Sequence, residues 1–412
     1  MGGATLPPAM SPKIKGVQAL RVALASLAAL AVAAGGCAAQ AGPPPSPAAL
    51  RADGLNHFYN LEYDQAIADF QRLTQLEPDH AGPWNHLAQA ELYREMYRIG
   101  ALESALYGHG DPFLDAKLLP PDPAAVAAVV QAEERALQLA SAAEQRHPRD
   151  AQAYYDAASA WALRSNLEFS VQHSYWSALQ DAKQARGEAE TAETIDPSFI
   201  EPRLLLGVDN YIAGSLPWSV KIFSTLVGYR GNKDKGRAQI AAVAASGASN
   251  HIDAAVLLAL IDRRDGLNQQ AAPIFERLAQ QFPRNPVMAV EAAEALEAAG
   301  EHQASRAAYQ QVLARAAAHA PGYQRAPLDK VWYDLGKIED VYSHWQLAAA
   351  DFDRVQALPR AQPRYRQAAA LAAGLADQKA GLATAARAEF QACLKIDSTT
   401  PAASAARTAL AR

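Results

Sequence analysis

The chain has 412 residues, half of them hydrophobic, a formal charge of −5 and two cysteines. That length exceeds one ordinary core unless the core is extended along an axis. The mild acidity lacks the basic footprint that nucleic-acid recognition calls for, and Cys37 and Cys393, far apart in a chain of this size, exclude a disulfide framework. Ala, Leu, Gln, Glu and Arg predominate while alternating Val, Ile and Thr are scarce, so the composition predicts an all-α fold.

The first 36 residues read as an address. Lys13, Lys15 and Arg21 form a positive region, followed by the uncharged segment VALASLAALAVAA from Val22 to Ala34. That segment is short for a hydrocarbon core of ~30 Å and ends in small residues, as a cleavage site does. Gly35, Gly36 and Cys37 come next, then AAQAGPPPSP. This order resembles a bacterial lipoprotein lipobox, although Ala34 stands where that family usually has Leu. The resemblance implies that residues 1–36 are a signal peptide, and that Cys37 becomes an acylated N-terminus on a Pro-rich tether, 37–47. Cleavage would leave −8, since the leader carries three basic residues and no acidic one. The expected place is the bacterial cell envelope, lipid-anchored and facing the periplasm. Cleavage after Ala39 or Ala41, giving a secreted or soluble periplasmic protein, and an uncleaved anchor stay open.

Beyond the tether a spacing recurs. Ala66, Phe70, Leu73 and Pro78 follow Gly54, and Trp84, Leu87 and Ala88 begin the next unit. Ala136, Ala140, Ala143 and Pro148 precede Tyr154, Ala157, Ala158 and Trp161; Ala185, Ala189, Ala192 and Pro197 precede Leu206 and Gly207. Leu258, Ala259, Ala271, Phe275, Leu278 and Pro283 make a further unit, then Ala292, Ala293, Gly300, Ser305, Tyr309 and Val312. Trp332, Leu335, Gly336, Ala348, Phe352 and Val355 make another, and Gly374, Gly381, Ala386, Phe390 and Cys393 the last. These residues resemble the tetratricopeptide repeat (TPR), in which helix A carries W-x2-L-G-x2-Y and helix B carries A-x3-F. The resemblance implies an all-α, right-handed superhelix of about seven to eight helix-turn-helix repeats, covering about 48–410.

Two stretches interrupt the period, giving repeats at 48–99, an insertion loop at 100–123, repeats at 124–211, an inter-repeat segment at 212–250 and repeats at 251–412. The first interruption carries GHGD and PPDP turn signals. The second contains LPWSVKIFSTLVGYRGNKDKG from Leu216, with Lys221 inside it, and reads as a connecting helix or as a patch touching a partner or a membrane.

The resemblance implies a binding scaffold whose A helices line a concave surface for protein or peptide partners. Helix-A geometry then nominates Tyr59, Asn85, Gln89, Tyr155 and Tyr211 for contact with the partner. No histidine pair has H-x-x-x-H spacing, RGNKDKG lacks the G-x4-G-K-[ST] order, and Glu133-Glu134 reads as a solvated helical face. The sequence therefore predicts no catalytic residue, metal or cofactor. The other reading is a hydrolase or transferase with its site in the insertion loops, at His109, Asp111 and Asp115.

Overall fold

The computed structural model describes residues 45–102, 118–215 and 231–411, and Pro47–Arg412 forms one compact unit. The expectations for 1–36, for Cys37 and most of the tether, and for His109, Asp111, Asp115 and Lys221 lie outside the described residues. All regular structure among the described residues is helical.

Eight helix pairs follow one another. They are α1 (Pro47–Tyr59) with α2 (Tyr63–Leu76), α3 (Gly82–Ile99) with α4 (Pro123–Arg146), and α5 (Ala151–Ser170) with α6 (Tyr175–Ile195). Then come α7 (Pro202–Ser215) with α8 (Lys233–Ala244), α9 (His251–Arg264) with α10 (Asn268–Gln281), and α11 (Pro286–Ala298) with α12 (His302–Ala317). The last pairs are α13 (Leu328–Val341) with α14 (Trp345–Ala357), and α15 (Pro363–Lys379) with α16 (Ala383–Ile396). A single helix, α17 (Pro401–Leu410), packs on the end and covers Cys393, which is fully buried beside Phe390 and Ala406. Each pair also packs on the next, so apolar faces that one pair would leave wet are covered by its neighbour.

Small residues set the closeness of each pair. A Cβ added at Gly54 would lie 2.6 Å from the ring of Phe70, and the same distance separates Gly336 from Phe352 and Gly374 from Phe390. Phe70 also stacks on His86 of α3 with ring centroids 5.2 Å apart, so one ring fills the crossing of its own pair and meets the next. Ala259 and Ala293 hold the glycine register before Phe275 and Tyr309, and all four are buried.

The turns are as regular. The residue between the two helices of a pair lies in the left-handed region in seven pairs: Leu61, Gly100, His173, Gly266, Gly300, Ser343 and Gly381. In six of these the backbone N–H one residue later reaches back five residues, as from Leu267 to the Asp262 carbonyl at 2.7 Å and from Leu382 to Asp377 at 2.8 Å. This satisfies carbonyls at the end of helix A and reverses the chain. Between pairs, Pro148 and Pro283 stop a helix, and Asp150 and Asn285 two residues on cap the next by accepting backbone N–H groups.

The structure departs from the sequence reading in two places. Lys233–Ala244, inside the stretch read as an inter-repeat segment, is the second helix of a pair, and Gly236 packs directly on the backbone of α7. Glu133, read as solvated, is fully buried with neither carboxylate oxygen hydrogen-bonded, whereas Glu134 is exposed. Burial pushes the Glu133 carboxyl up to about 8; Arg164 opposes the rise, and Glu168, Asp181 and Glu134 add to it.

The first pair also touches a distant part of the chain. Tyr59 at the end of α1 packs on Phe282 with ring centroids 5.0 Å apart. Asn285 Nδ2 donates to the Tyr59 carbonyl at 2.7 Å, and the Arg284 N–H donates to Asn60 Oδ1 at 3.0 Å. Arg284 also holds both oxygens of Glu62, at 2.8 and 2.9 Å. A continuous apolar cluster runs through this contact, from Phe58, Tyr63 and Phe70 to Ile252, Phe282 and Leu296.

Three glycines give a graded test. Gly236→Ala places a Cβ 2.4 Å from the Tyr211 nitrogen and 2.5 Å from the Gly207 carbonyl oxygen, which no rotamer relieves. It should cost at least the ~1–3 kcal/mol of an overpacked core, by denaturant titration. Gly336→Ala meets a movable ring and should cost less, while Gly187→Ala, exposed on α6 with nothing within 4 Å, should gain about 1 kcal/mol from helix propensity. Glu133 gives a pH test. Its native carboxyl titrates near 8 against an ordinary 4.5, so its penalty is absent below pH 4.5 and complete above pH 8. Melting curves of Glu133→Gln should therefore lie well above those of the unaltered chain at pH 8 and coincide with them at about pH 4.

Candidate functional site

The A helices bring a polar and aromatic face together. Counted from the small residue at each crossing, Asn85 and Tyr155 stand three before Ala88 and Ala158, and Gln89 one after Ala88. Tyr59 stands five after Gly54, and Asp253 six before Ala259, the register that Gln152 and Glu201 hold before Ala158 and Gly207.

Asp253 is the hub. Its carboxyl lies beside the Tyr59 hydroxyl and the Gln89 amide, close enough for both to influence its charge, so groups of the first, second and fifth pairs meet here. Burial raises its pKa while those two groups oppose the rise. The Tyr59 phenol is raised well above its ordinary value, by burial first and then by the Asp253 charge. Tyr155 stands beside this hub: Asn250 Nδ2 donates to its hydroxyl at 3.1 Å and to the Glu201 carbonyl at 3.0 Å, and its ring meets Phe199 edge-on. Asn85 spans α3 and α5, donating to the Asp156 carbonyl at 2.9 Å. The carboxyl of Asp156, a half-buried residue, is raised to about 6 by desolvation, which its bond from Gln152 opposes.

The face thus unites Tyr59, Gln89 and Tyr155 around Asp253 and Asn250, with Asn85 on its flank. Tyr211 lies apart, donating to Asp265 at 3.0 Å beneath the Lys233 ammonium, with burial and Asp265 raising its phenol to about 12. None of the five is an open contact residue: Tyr59, Asn85 and Tyr211 are buried, and Gln89 and Tyr155 are half-buried. Their partners are supplied by the chain itself. Sequence reasoning missed Asp253, Asn250 and Arg284; the recurring polar register before each small residue was the available signal for Asp253.

The helix pairs, their sixteen-residue small-to-aromatic spacing and their left-handed turns decide the architecture. The fold is a tetratricopeptide-type repeat array. No family model matches the sequence, and no curated protein does. Among solved structures, the array is similar to a thermophilic TPR protein of Thermus thermophilus (16% identity, 61% of this chain and 99% of that one, TM-score 0.34). It is similar to the C-terminal part of a TPR repeat-containing protein of Cytophaga hutchinsonii (12% identity, 66% and 94% covered, TM-score 0.44). A third likeness is to human IFIT1, determined as a dimer with m7Gppp-AAAA (11% identity, 89% and 81% covered, TM-score 0.40). The repeat assignment rests on the helix-pair geometry rather than on these superpositions.

In the last two repeats of the array the same registers stay uncovered. Lys337 and Leu375 hold the register of Gln89, and Val341 and Lys379 that of Tyr59. Val341 is 59% and Leu375 40% exposed. Lys337 and Lys379 keep about half of their side chains in water although they pair with Asp334 and Asp340. Among the described residues no group of three His, Cys, Asp or Glu side chains is placed to hold a metal, and no helix is long and apolar enough to cross a membrane.

Asp253→Leu removes the carboxylate that the Tyr59 hydroxyl and the Gln89 amide stand beside, and should destabilise the array by about 1–3 kcal/mol. Tyr211→Phe, which removes one donor and leaves Asp265 its pairing with Lys233, should cost at most about 1 kcal/mol. Parallel urea titrations rank the two; equal costs would mean that Asp253 is no hub.

Proposed function

We propose that the chain is a scaffold that binds a polypeptide partner on the helix-A face of its last repeats, held at the bacterial cell envelope through an acylated Cys37. The uncovered registers of α13 and α15 carry the first half of this reading. There the face presents exposed Val341 and Leu375 between Lys337 and Lys379, apolar footholds flanked by long, charged side chains. Such a mixture suits a peptide with apolar anchors and acidic flanks better than a nucleic acid, as does a chain of net charge −5. The order Lys13, Lys15, Arg21, apolar segment, Cys37 supports the second half. A protein so anchored, with a Pro-rich tether before α1, would recruit its partner beside the membrane without itself spanning it.

Affinity capture from envelope extracts tests the binding face. The unaltered chain and a control with Leu347→Asp on α14 should recover the same polypeptide, and Leu375→Asp should recover at least ten-fold less by quantitative mass spectrometry. Equal recovery by all three, or none by the unaltered chain, would refute the assignment. The intact mass of the mature N-terminus tests the anchor: a residue 37 start bearing acyl chains is expected, and an unacylated mass with residues 38 onward intact removes it.

A further inference from the structure

We infer that the contact between Tyr59–Glu62 and Phe282–Asn285 is a latch, and that a polypeptide offering the same chemistry in trans displaces the first repeat and uncovers the inner face of the array.

The contact joins segments 222 to 226 residues apart, while the main helix-to-helix packing of the array follows chain order. Its groups are those of a recognition site: one aromatic ring and one carboxamide from each side, and one carboxylate held by Nε and one terminal nitrogen of a guanidinium. Asn60 is 1% and Asn285 2% exposed, so both carboxamides are shielded only while the segments stay together. The ion pair is different. The Arg284 side chain keeps 33% and that of Glu62 22% of its surface in water, where a competing carboxylate can reach the guanidinium. Charge-assisted bidentate pairing of this kind selects its partner by geometry as well as by charge.

One feature makes the first repeat the movable partner. Among the described residues no repeat precedes it, so beyond α3 this contact and the Asp253 hub are what tie it to the array. The receiving face, in contrast, is fixed. Phe282 and Asn285 lie between α10 and α11, Asn285 caps α11 at Val287 and Met288, and Gly322 packs so closely on the Arg284 carbonyl that a Cβ there would lie 1.8 Å away. Undocking would free Tyr59 from Asp253 and leave Asp253, Asn250 and Tyr155 facing the space that the first repeat vacates. The partner that fits is therefore a helix ending in aromatic-Asn-x-acidic, the order Tyr59-Asn60-Leu61-Glu62 shows. The latch stands on its own contacts; only its consequence for the partner rests on the scaffold reading above.

The probe is a labelled peptide of the chain's own sequence, Pro47–Asp64 (PAALRADGLNHFYNLEYD), titrated by fluorescence anisotropy into the full chain. The unaltered chain, whose own segment occupies the face at high effective concentration, should bind it weakly. A Glu62→Arg chain, with its segment weakened and its face intact, should bind at least ten-fold more tightly, with an increased radius of gyration by X-ray scattering and unchanged helical content. An Arg284→Glu chain should not bind this peptide but should bind one carrying Glu62→Arg. Should Glu62→Arg disturb folding, Glu62→Gln is the milder opening variant, with the same order of affinities expected. No binding to a folded opening variant, or loss of helicity throughout the chain on opening, would overturn the latch. Peptide binding together with failed capture by the Leu375 face would instead keep the latch and discard the scaffold reading.

Discussion

The structure depends on how closely two helices can approach at the crossing within each pair. Where helix A offers glycine, the ring sixteen residues later enters the gap, as Phe70 does at Gly54 and Phe390 at Gly374. The same ring then meets the next A helix, as Phe70 meets His86. A single side chain thereby fixes both the spacing inside a repeat and the seat of the following one. Where α7 and α8 cross, the aromatic is replaced by backbone against backbone at Gly207 and Gly236, the same closeness reached by removing both side chains. Close packing of this kind tolerates little change of volume.

Because the interlock is local, it was legible in the sequence. Ala, Gly and Phe at fixed separations need only the helix period and one turn, and proline with Asn or Asp two residues on marks the joint between pairs. What could not be read were facts that depend on where distant repeats end up. Glu133 lies on a helix whose other face is wet, and periodicity alone could not tell that α5 and α6 would cover it. Lys233–Ala244 was hidden for another reason: a long insertion separates it from α7, and the spacing that identifies a second helix is measured from the first. Tyr59, Gln89 and Tyr155 could be placed on A helices, but their neighbour Asp253 is some 100 residues or more from each, so their burial was out of reach.

The long-range contact changes how stability is shared. In a linear array each repeat answers only to its neighbours, and the total is a sum of local terms. Here the first repeat is tied to the fifth and sixth through Tyr59, Asn60 and Glu62, so repeats between them cannot loosen without straining a bond made elsewhere. The intervening pairs bear much of the awkward chemistry: Glu133 without a hydrogen bond, Asp156 with a raised pKa, and two insertions at turns. A tie across these pairs is a physical way of holding a segment that its local contacts serve less well.

The same tie divides the inner face into two parts with different surfaces. On α1, α3 and α5 the polar groups at these registers, Tyr59, Asn85, Gln89 and Tyr155, are buried or half-buried against the chain itself, whereas α7 already shows an exposed Ile212 in the register of Tyr59. On α13 and α15 those registers carry Lys337, Val341, Leu375 and Lys379, which the first repeat does not reach. Their lysines are balanced by acids on neighbouring turns, Asp334 beneath Lys337 and Asp340 opposite Lys379, so the surface is neither a bare positive patch nor an apolar stripe. Asp334 is buried and also bound by Lys330 and Tyr309, so it keeps its hold on Lys337, whereas the Lys379–Asp340 pair lies open to water, where a ligand's carboxylate could take the place of Asp340. Exposed pairs of this kind contribute little by themselves, so the exchange is nearly neutral and the selection falls to the spacing between the charges and the apolar anchors.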